Sequence, residues 1–481
     1  MDPKSAAPDD LLDRPARELA ARVRRGELRS RAPVEAALAR IDALDAGVRA
    51  IVTLDPKRAR ETSDRIDELV ARGVDPGPLA GLPITIKDMH DTAGLRTTHG
   101  LPWSMRHVPA MDSTAVARLR AAGAVILGKT TLPFAGYDWQ TRQPRVGVTR
   151  HPRDPSRTCG GSSGGAAVAL ALRFAVLELG ADLAGSIRVP SAFCGVFGLK
   201  TSEGLVSLAG HGPSISRGVL EHMVVIGPMG RCADDLALAL EVLVPGSVGA
   251  TLAPRIPRRI AWSDELCGVR ADATTRRALE ACVARIAASG CAVERAIPPG
   301  CDGDRPLRLW GAVDGFEFAQ CWPWPLCTWP LRQLFRCGPA ALAIGRSAFS
   351  AALARGMAST RRAHARALLE REDFARAMDE WLARYDAFLA PCAATPAFTH
   401  RRFATPIEVD GARVPYSLAM SAFCVPMNAG GGPALAMPIA TSDGGLPIGI
   451  QCCGPRGADR ALLGFGAWLE QELQRRSNTH T

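Results

Sequence analysis

The stretch from Gly160 to Lys200 constrains this chain more than any other part of it. A Gly/Ser loop, GGSSGG at 160–165, opens onto the Ala-rich helical run AAVALALR. That run feeds a predicted strand, FAVLELG at 174–180, which ends in a second Gly/Ser turn, ADLAGS at 181–186. In a right-handed parallel unit a helix begins at the sheet edge where the following strand ends. The two serine loops therefore meet, although Ser162 and Ser186 lie 24 residues apart. A second strand signal, the alternating Leu82, Ile84 and Ile86 of GPLAGLPITIKD, ends at Lys87. Open α/β sheets put ligand sites on that carboxyl edge, so topology alone brings Lys87, Ser162 and Ser186 together.

The rest of the chain fits the same plan. Residues 10–75 read as an N-terminal helical layer, with Ala and Leu at three and four spacing. A helix over Ser113–Ala122 precedes the strand Ala124–Leu127, and residues 258–300 read as strand, helix, strand. Residues 301–385 form a helical and aromatic insertion near the mouth of the site, and a Gly-rich close follows. No repeat or charged linker divides the chain, so one domain over 1–481 is expected. The fold class is α/β, with a mixed, mostly parallel central sheet covered by helices on both faces.

Composition removes several function classes. The formal charge is +10, but the basic residues are scattered and only 5% of residues are aromatic, which argues against nucleic acid as a partner. The 14 Cys run from Cys159 to Cys453 without a CxxC pair or zinc spacing, so neither metal nor other cofactor is expected. The longest apolar stretch, Ala166 to Leu183, is broken by Arg173, Glu178 and Asp182, leaving no membrane span. The opening MDPKSAAPDD is acidic and lacks an apolar core, so a cytoplasmic protein with reduced thiols is expected.

The serine loop matches G-x-S-x-G twice, at Ser162 and Ser163, but the turn residues Arg153, Asp154 and Pro155 stand where a nucleophile elbow needs a strand. A phosphate loop needs Lys where Ala166 stands. His90, His99, His364 and His400 share no spacing and read as surface or loop residues. Lys87 is the more telling group. A lysine serves as a base only when neutral, which means lowering an ordinary pKa of about 10.4 by about three, or ~4 kcal/mol of differential interaction. Arginine cannot do this. The chain holds five Lys, at 4, 57, 87, 129 and 200, against 53 Arg, so a retained lysine at this edge fits a need for deprotonation.

Four segments, GPLAGLPITIKD, DPSRTCGGSSGGAAVALA, GADLAGSIRVPSAFCGVFGLK and GGLPIGIQ, stand in the order and at the spacing of one family. From about residue 12 to 470 the chain resembles the amidase signature family of Ser-cisSer-Lys hydrolases. The resemblance implies Ser186 as nucleophile, Ser162 as the cis-peptide serine that relays a proton, and Lys87 as general base. It implies an oxyanion hole of N–H groups across Leu183, Ala184, Gly185 and Ser186, with Ser163, Asp182 and Arg188 holding the loops.

Three departures stand out: Ala184 and Ala181 occupy positions where the family has Gly and Thr or Ser, and GKTT at 128–131 replaces GKTN. The expected activity is hydrolysis of a small-molecule carboxamide through an acyl-serine, with an apolar or aromatic acyl group walled by Trp139, Phe193 and residues 321–335. Two rivals are an A-type subunit of a glutamine-dependent amidotransferase complex and a catalytically weakened binding protein, the latter motivated by Ala184. The run CWPWPLCTWP at 321–330 reads as pocket wall or dimer contact, and a homodimer is a possible assembly.

Overall fold

Short apolar strands, most of them buried at every position, pair into one sheet that runs the length of the computed structural model. Residues 11–143, 146–212, 220–249, 251–321, 347–401 and 405–475 are described. The strands are β1 (Ile51–Leu54), β2 (Pro83–Lys87), β3 (Val125–Thr130), β4 (Leu177–Asp182), β5 (Phe197–Lys200) and β6 (Val225–Gly230). They continue with β7 (Arg259–Trp262), β8 (Ala292–Arg295), β9 (Ala387–Pro391), β10 (Ala434–Thr441) and β11 (Pro447–Cys453). Their order across the sheet is β1-β3-β2-β4-β6-β5-β10-β11-β9-β7-β8. Parallel pairing comes in two blocks, β3-β2-β4 and β9-β7-β8, and the pairs between and outside them are antiparallel. The first block carries both strand ends singled out by sequence.

Helices cover the sheet as expected. They are α1 (Ala16–Arg24), α2 (Arg31–Val48), α3 (Pro56–Ala71), α4 (Thr114–Ala121), α5 (Gly164–Ala171), α6 (Arg188–Cys194) and α7 (Ala233–Leu243). After α8 (Ala273–Ala288) come α9 (Arg305–Gln320), α10 (Ala348–Met357), α11 (Arg361–Leu382), α12 (Tyr416–Ser421), α13 (Val425–Gly430) and α14 (Asp459–Arg475). α5 is buried from Gly164 to Leu170, which is why its sequence is apolar all round. Gly311 and Gly315 lie four apart on α9 and admit α10 so closely that a Cβ at Gly311 would lie 2.5 Å from the Ala352 backbone.

Two expectations need correction. The N-terminal layer is not wholly helical, because β1 pairs antiparallel with β3. Its short IVTL run is cut from α2 by left-handed Arg49 (φ 59°) and from α3 by Asp55, whose carboxylate caps Arg58 N–H at 3.0 Å. The strand expected over 174–180 starts later, at Leu177, because Arg173 is left-handed (φ 59°) and Phe174 N–H bonds back to Ala169 O at 2.7 Å.

The apolar interior falls into two clusters, one running along the sheet from the N-terminal helices to α8 and α14 and one against α9–α13. Ile187 belongs to the first and Ala184 to the second, so the Gly/Ser turn after β4 sits on the seam.

Candidate active site

Lys87 ends β2, and the register sets it beside the end of β4, with Ile86 opposite Leu179. The GGSSGG loop starts α5 at the same edge. Ser163 N–H donates to Ser186 O at 3.0 Å, so the two serine loops meet as topology required. Lys87 Nζ donates to Ser162 Oγ at 2.8 Å and to Ala181 O at 3.1 Å, and the Gly161–Ser162 peptide is cis. Burial pushes the Lys87 ammonium down to about 7, against the opposing pull of Asp182 and Glu178. Near neutrality such a lysine is partly unprotonated and can accept a proton from a hydroxyl.

Asp182 ties the turn after β4 together. Its Oδ1 accepts from Gly185 N–H at 2.9 Å, Arg188 Nη2 at 2.9 Å and Asn428 Nδ2 at 3.0 Å, and its Oδ2 accepts from Ile187 N–H at 3.1 Å and Arg188 Nε at 3.0 Å. Burial alone would raise this carboxyl, but the Arg188 guanidinium together with the hydrogen bonds from Asn428 and the Gly185 N–H outweighs it and holds Asp182 well below the usual carboxylate range. Arg188 reaches on to Gln451 Oε1 at 2.7 Å, Cys424 O at 3.0 Å and Asn428 Oδ1 at 2.5 Å. Ser163, Asp182 and Arg188 thus tie the two loops to each other and to the C-terminal segment.

The expected run of N–H donors needs a correction. Gly185 N–H is spent on Asp182, whereas those of Leu183, Ala184 and Ser186 have no partner among the described residues. The turn's glycine requirement falls on Gly185 and not on Ala184. Gly185 has φ 98°, and a Cβ there would lie 2.9 Å from Cys424 Sγ. Ala184 is absent from the described non-glycine residues with positive φ, so its methyl group imposes no backbone strain.

Lys87, Ser162, Leu183 and Ser186 line a cavity of about 450 Å³ that Tyr137 and Phe318 help to wall. The expected wall residues Trp139 and Phe193 are not in it. Trp139 is buried behind the turn, with Nε1 donating to Ala184 O at 2.9 Å, and Phe193 packs edge-on against Phe398 at 6.1 Å. Tyr137, two residues from Trp139, takes the place assigned to it, and its hydroxyl bonds Asp314 on α9 at 3.2 Å. From the insertion, Phe318 and Cys321 reach the cavity, while residues 322–346, most of the Trp/Pro run, lie outside the described residues. His90 and His99 are fully buried rather than at the surface. Sequence reasoning also missed Trp310 on α9, whose Nε1 donates to Leu183 O at 2.8 Å; no motif marks it. Among the described residues no group of three or more His, Cys, Asp or Glu is placed to hold a metal, and no helix is long and apolar enough to cross a membrane.

Fold and site together define an α/β protein with a buried lysine and two serine loops sharing one cavity. A family model described as Amidase matches residues 32–463, and the chain belongs to that family. The A-type subunit of glutamyl-tRNA(Gln) amidotransferase from Symbiobacterium thermophilum is 31% identical over 490 residues, covering 93% of this chain and 94% of the relative. Its namesake from Thermus thermophilus is 42% identical over 248 residues, a match that spans about half of each, 50% of this chain and 49% of the relative. A solved structure described as an amidase superposes with a TM-score of 0.79 at 29% identity, covering 95% of this chain and 99% of its own. Family and neighbours support a hydrolase of C–N bonds.

Proposed function

We propose that this chain is an amidase that hydrolyses a neutral carboxamide through an acyl-Ser186 intermediate. The observation that carries the reading is the 2.8 Å bond from Lys87 Nζ to Ser162 Oγ inside the cavity that Ser186 lines. In this mechanism neutral Lys87 takes the Ser162 proton while Ser162 Oγ takes that of Ser186. Ser186 Oγ attacks the carbonyl carbon, and the oxyanion meets the N–H groups of Leu183, Ala184 and Ser186. The tetrahedral adduct collapses as the proton returns from Lys87 through Ser162 to the leaving nitrogen. Water then repeats the sequence on the acyl-enzyme and frees the acid. The unstrained Ala184 supports a working site over a weakened one.

Cavity chemistry supports an uncharged acyl group. Among the described residues its wall offers no arginine, and its one carboxylate, Asp182, is engaged by Arg188. Glutamine carries both an ammonium and a carboxylate, and among the described residues no such pair of partners is free there. The second reading, an A-type amidotransferase subunit working in a complex, is favoured by the names of the curated relatives. Ammonia or amine release from aliphatic amides, aryl amides and glutamine, with fluorophosphonate labelling read by mass spectrometry, tests both. The expected result is turnover of apolar amides, poor turnover of glutamine and a label on Ser186. Glutamine as the best substrate favours the second reading. A label on Ser162 or Ser163 refutes the nucleophile assignment.

A further inference from the structure

Each peptide plane from Leu183 to Ile187 is fixed by a hydrogen bond to its carbonyl. In a trans peptide the C=O of one residue and the N–H of the next point in opposite directions, so pinning the carbonyl aims the following N–H. Val189 N–H on Gly185 O, at 2.8 Å, aims the Ser186 N–H. Ser163 N–H on Ser186 O, at 3.0 Å, aims the Ile187 N–H at Asp182. The remaining two carbonyls are pinned from outside the turn by indoles: Trp310 Nε1 on Leu183 O at 2.8 Å and Trp139 Nε1 on Ala184 O at 2.9 Å. Phe349 of α10 braces both, stacked on Trp310 at 4.6 Å and edge-on to Trp139 at 5.4 Å between ring centroids.

The two indoles are not equivalent. Trp139 aims the Gly185 N–H, which Asp182 Oδ1 already holds from the other side at 2.9 Å. Trp310 aims the Ala184 N–H, which no acceptor holds among the described residues. We infer that Trp310 is a positioning residue for the amide chemistry, its indole N–H orienting the Ala184 N–H toward the developing oxyanion, with Trp139 doing the same only redundantly. The inference rests on Ser186 being the nucleophile. A donor braced by two ring contacts and a close helix pair needs no reorganisation as charge develops, which is what such a site requires.

The test compares Trp310→Phe with Trp139→Phe on the best amide, measuring kcat, KM, affinity for a trifluoromethyl ketone analogue of that amide, and Tm. Trp310→Phe lowers kcat by ~10-fold or more and weakens the ketone in proportion, with KM within about twofold, because a misaimed oxyanion donor forfeits part of the 10²–10³ that a lost one costs. Trp139→Phe leaves kcat and ketone affinity within about threefold. Equal losses in the two variants, a loss confined to KM, or an unaffected Trp310→Phe overturns the inference. If Trp310→Phe does not fold, 3-benzothienylalanine at 310 keeps the ring shape without the N–H, and the same outcomes decide. A wild-type protein with no turnover and no Ser186 adduct overturns the functional reading and this inference with it; an active wild type beside an unaffected Trp310→Phe overturns the inference alone.

Discussion

Lys87 and Lys200 end β2 and β5 of the same sheet, with β4 and β6 between them; both are sealed from solvent, and they do different things. Lys87 donates to a hydroxyl, Ser162 Oγ, and lines the cavity. Lys200 donates to two carbonyls, Gly432 O at 2.7 Å and Thr201 O at 3.3 Å, and lines none of the described cavities. Burial lowers Lys87 to about 7 and Lys200 to about 8, so a depressed ammonium does not by itself mark a base. What separates them is an acceptor that both can hand over a proton and faces the cavity: Ser162 Oγ is a hydroxyl on the cavity wall, and a carbonyl cannot hand over a proton. A hydroxyl partner alone is not sufficient, since buried Lys129 also donates to one, Thr92 Oγ1 at 2.7 Å, and to His90 O, but like Lys200 it lines none of the described cavities. Three of the four lysines among the described residues are thus buried, and retention of a lysine among so many arginines signals a base no more at Lys87 than at the other two.

The sharpest way to break this contrast is Lys87→Arg. It keeps a cation but cannot take up the proton, so kcat should fall by ~10³ or more, as for loss of a triad member, with the fold retained by circular dichroism. Near-normal turnover would place the base elsewhere. Lys200→Met should do the reverse, leaving kcat within about twofold and lowering the unfolding free energy by about 1–3 kcal/mol, since two buried carbonyls lose their donor. A large loss of kcat there would erase the distinction.

The pH dependence sharpens it further. The unfolded chain keeps the Lys87 proton up to about 10.5 while the folded chain releases it near 7. Between those values the unfolded state binds more protons, so this group makes stability climb as pH rises. Lys87→Met should therefore flatten the rise in urea-unfolding free energy between pH 7 and 10 by up to ~1.4 kcal/mol per pH unit. The rate of the unmodified protein should rise along a limb centred near 7. An unchanged stability slope in the variant would mean that Lys87 keeps an ordinary pKa. The smallest effect belongs to Ala184→Gly: a loss of about 0.4–1 kcal/mol in stability, read from Tm, with kcat within about threefold. A hundredfold gain in kcat would instead show that Ala184 impairs the turn.

The parts of the site that sequence revealed are those where one local segment determines the geometry. β2, the GGSSGG loop and the turn after β4 each carry their own start and stop signals, and the crossover rule joins them, so Lys87, Ser162 and Ser186 converge as read. The cavity wall was not legible in this way. Tyr137 and Trp139 lie two apart in YDWQ, and only packing decides which ring faces the cavity and which supports the turn. Trp310 and Phe318 reach the site from α9, which packs against α10 closely at Gly311 and Gly315, a contact between helices that periodicity does not report. β1 was missed because four apolar residues between two helices carry too weak a signal to separate from a helix end.

The guanidinium of Arg188 has a consequence for how the chain assembles. Its partners Cys424, Asn428 and Gln451 lie 236, 240 and 263 positions further along. Contacts of such separation carry a high loop-closure entropy and form slowly. A ribosome that has delivered only the first 400 residues has made every proposed reacting group but not the clasp that holds their turn in shape. Competence therefore arrives with the last strands, and a nascent or C-terminally clipped chain carries its lysine and serines without a set turn to work on.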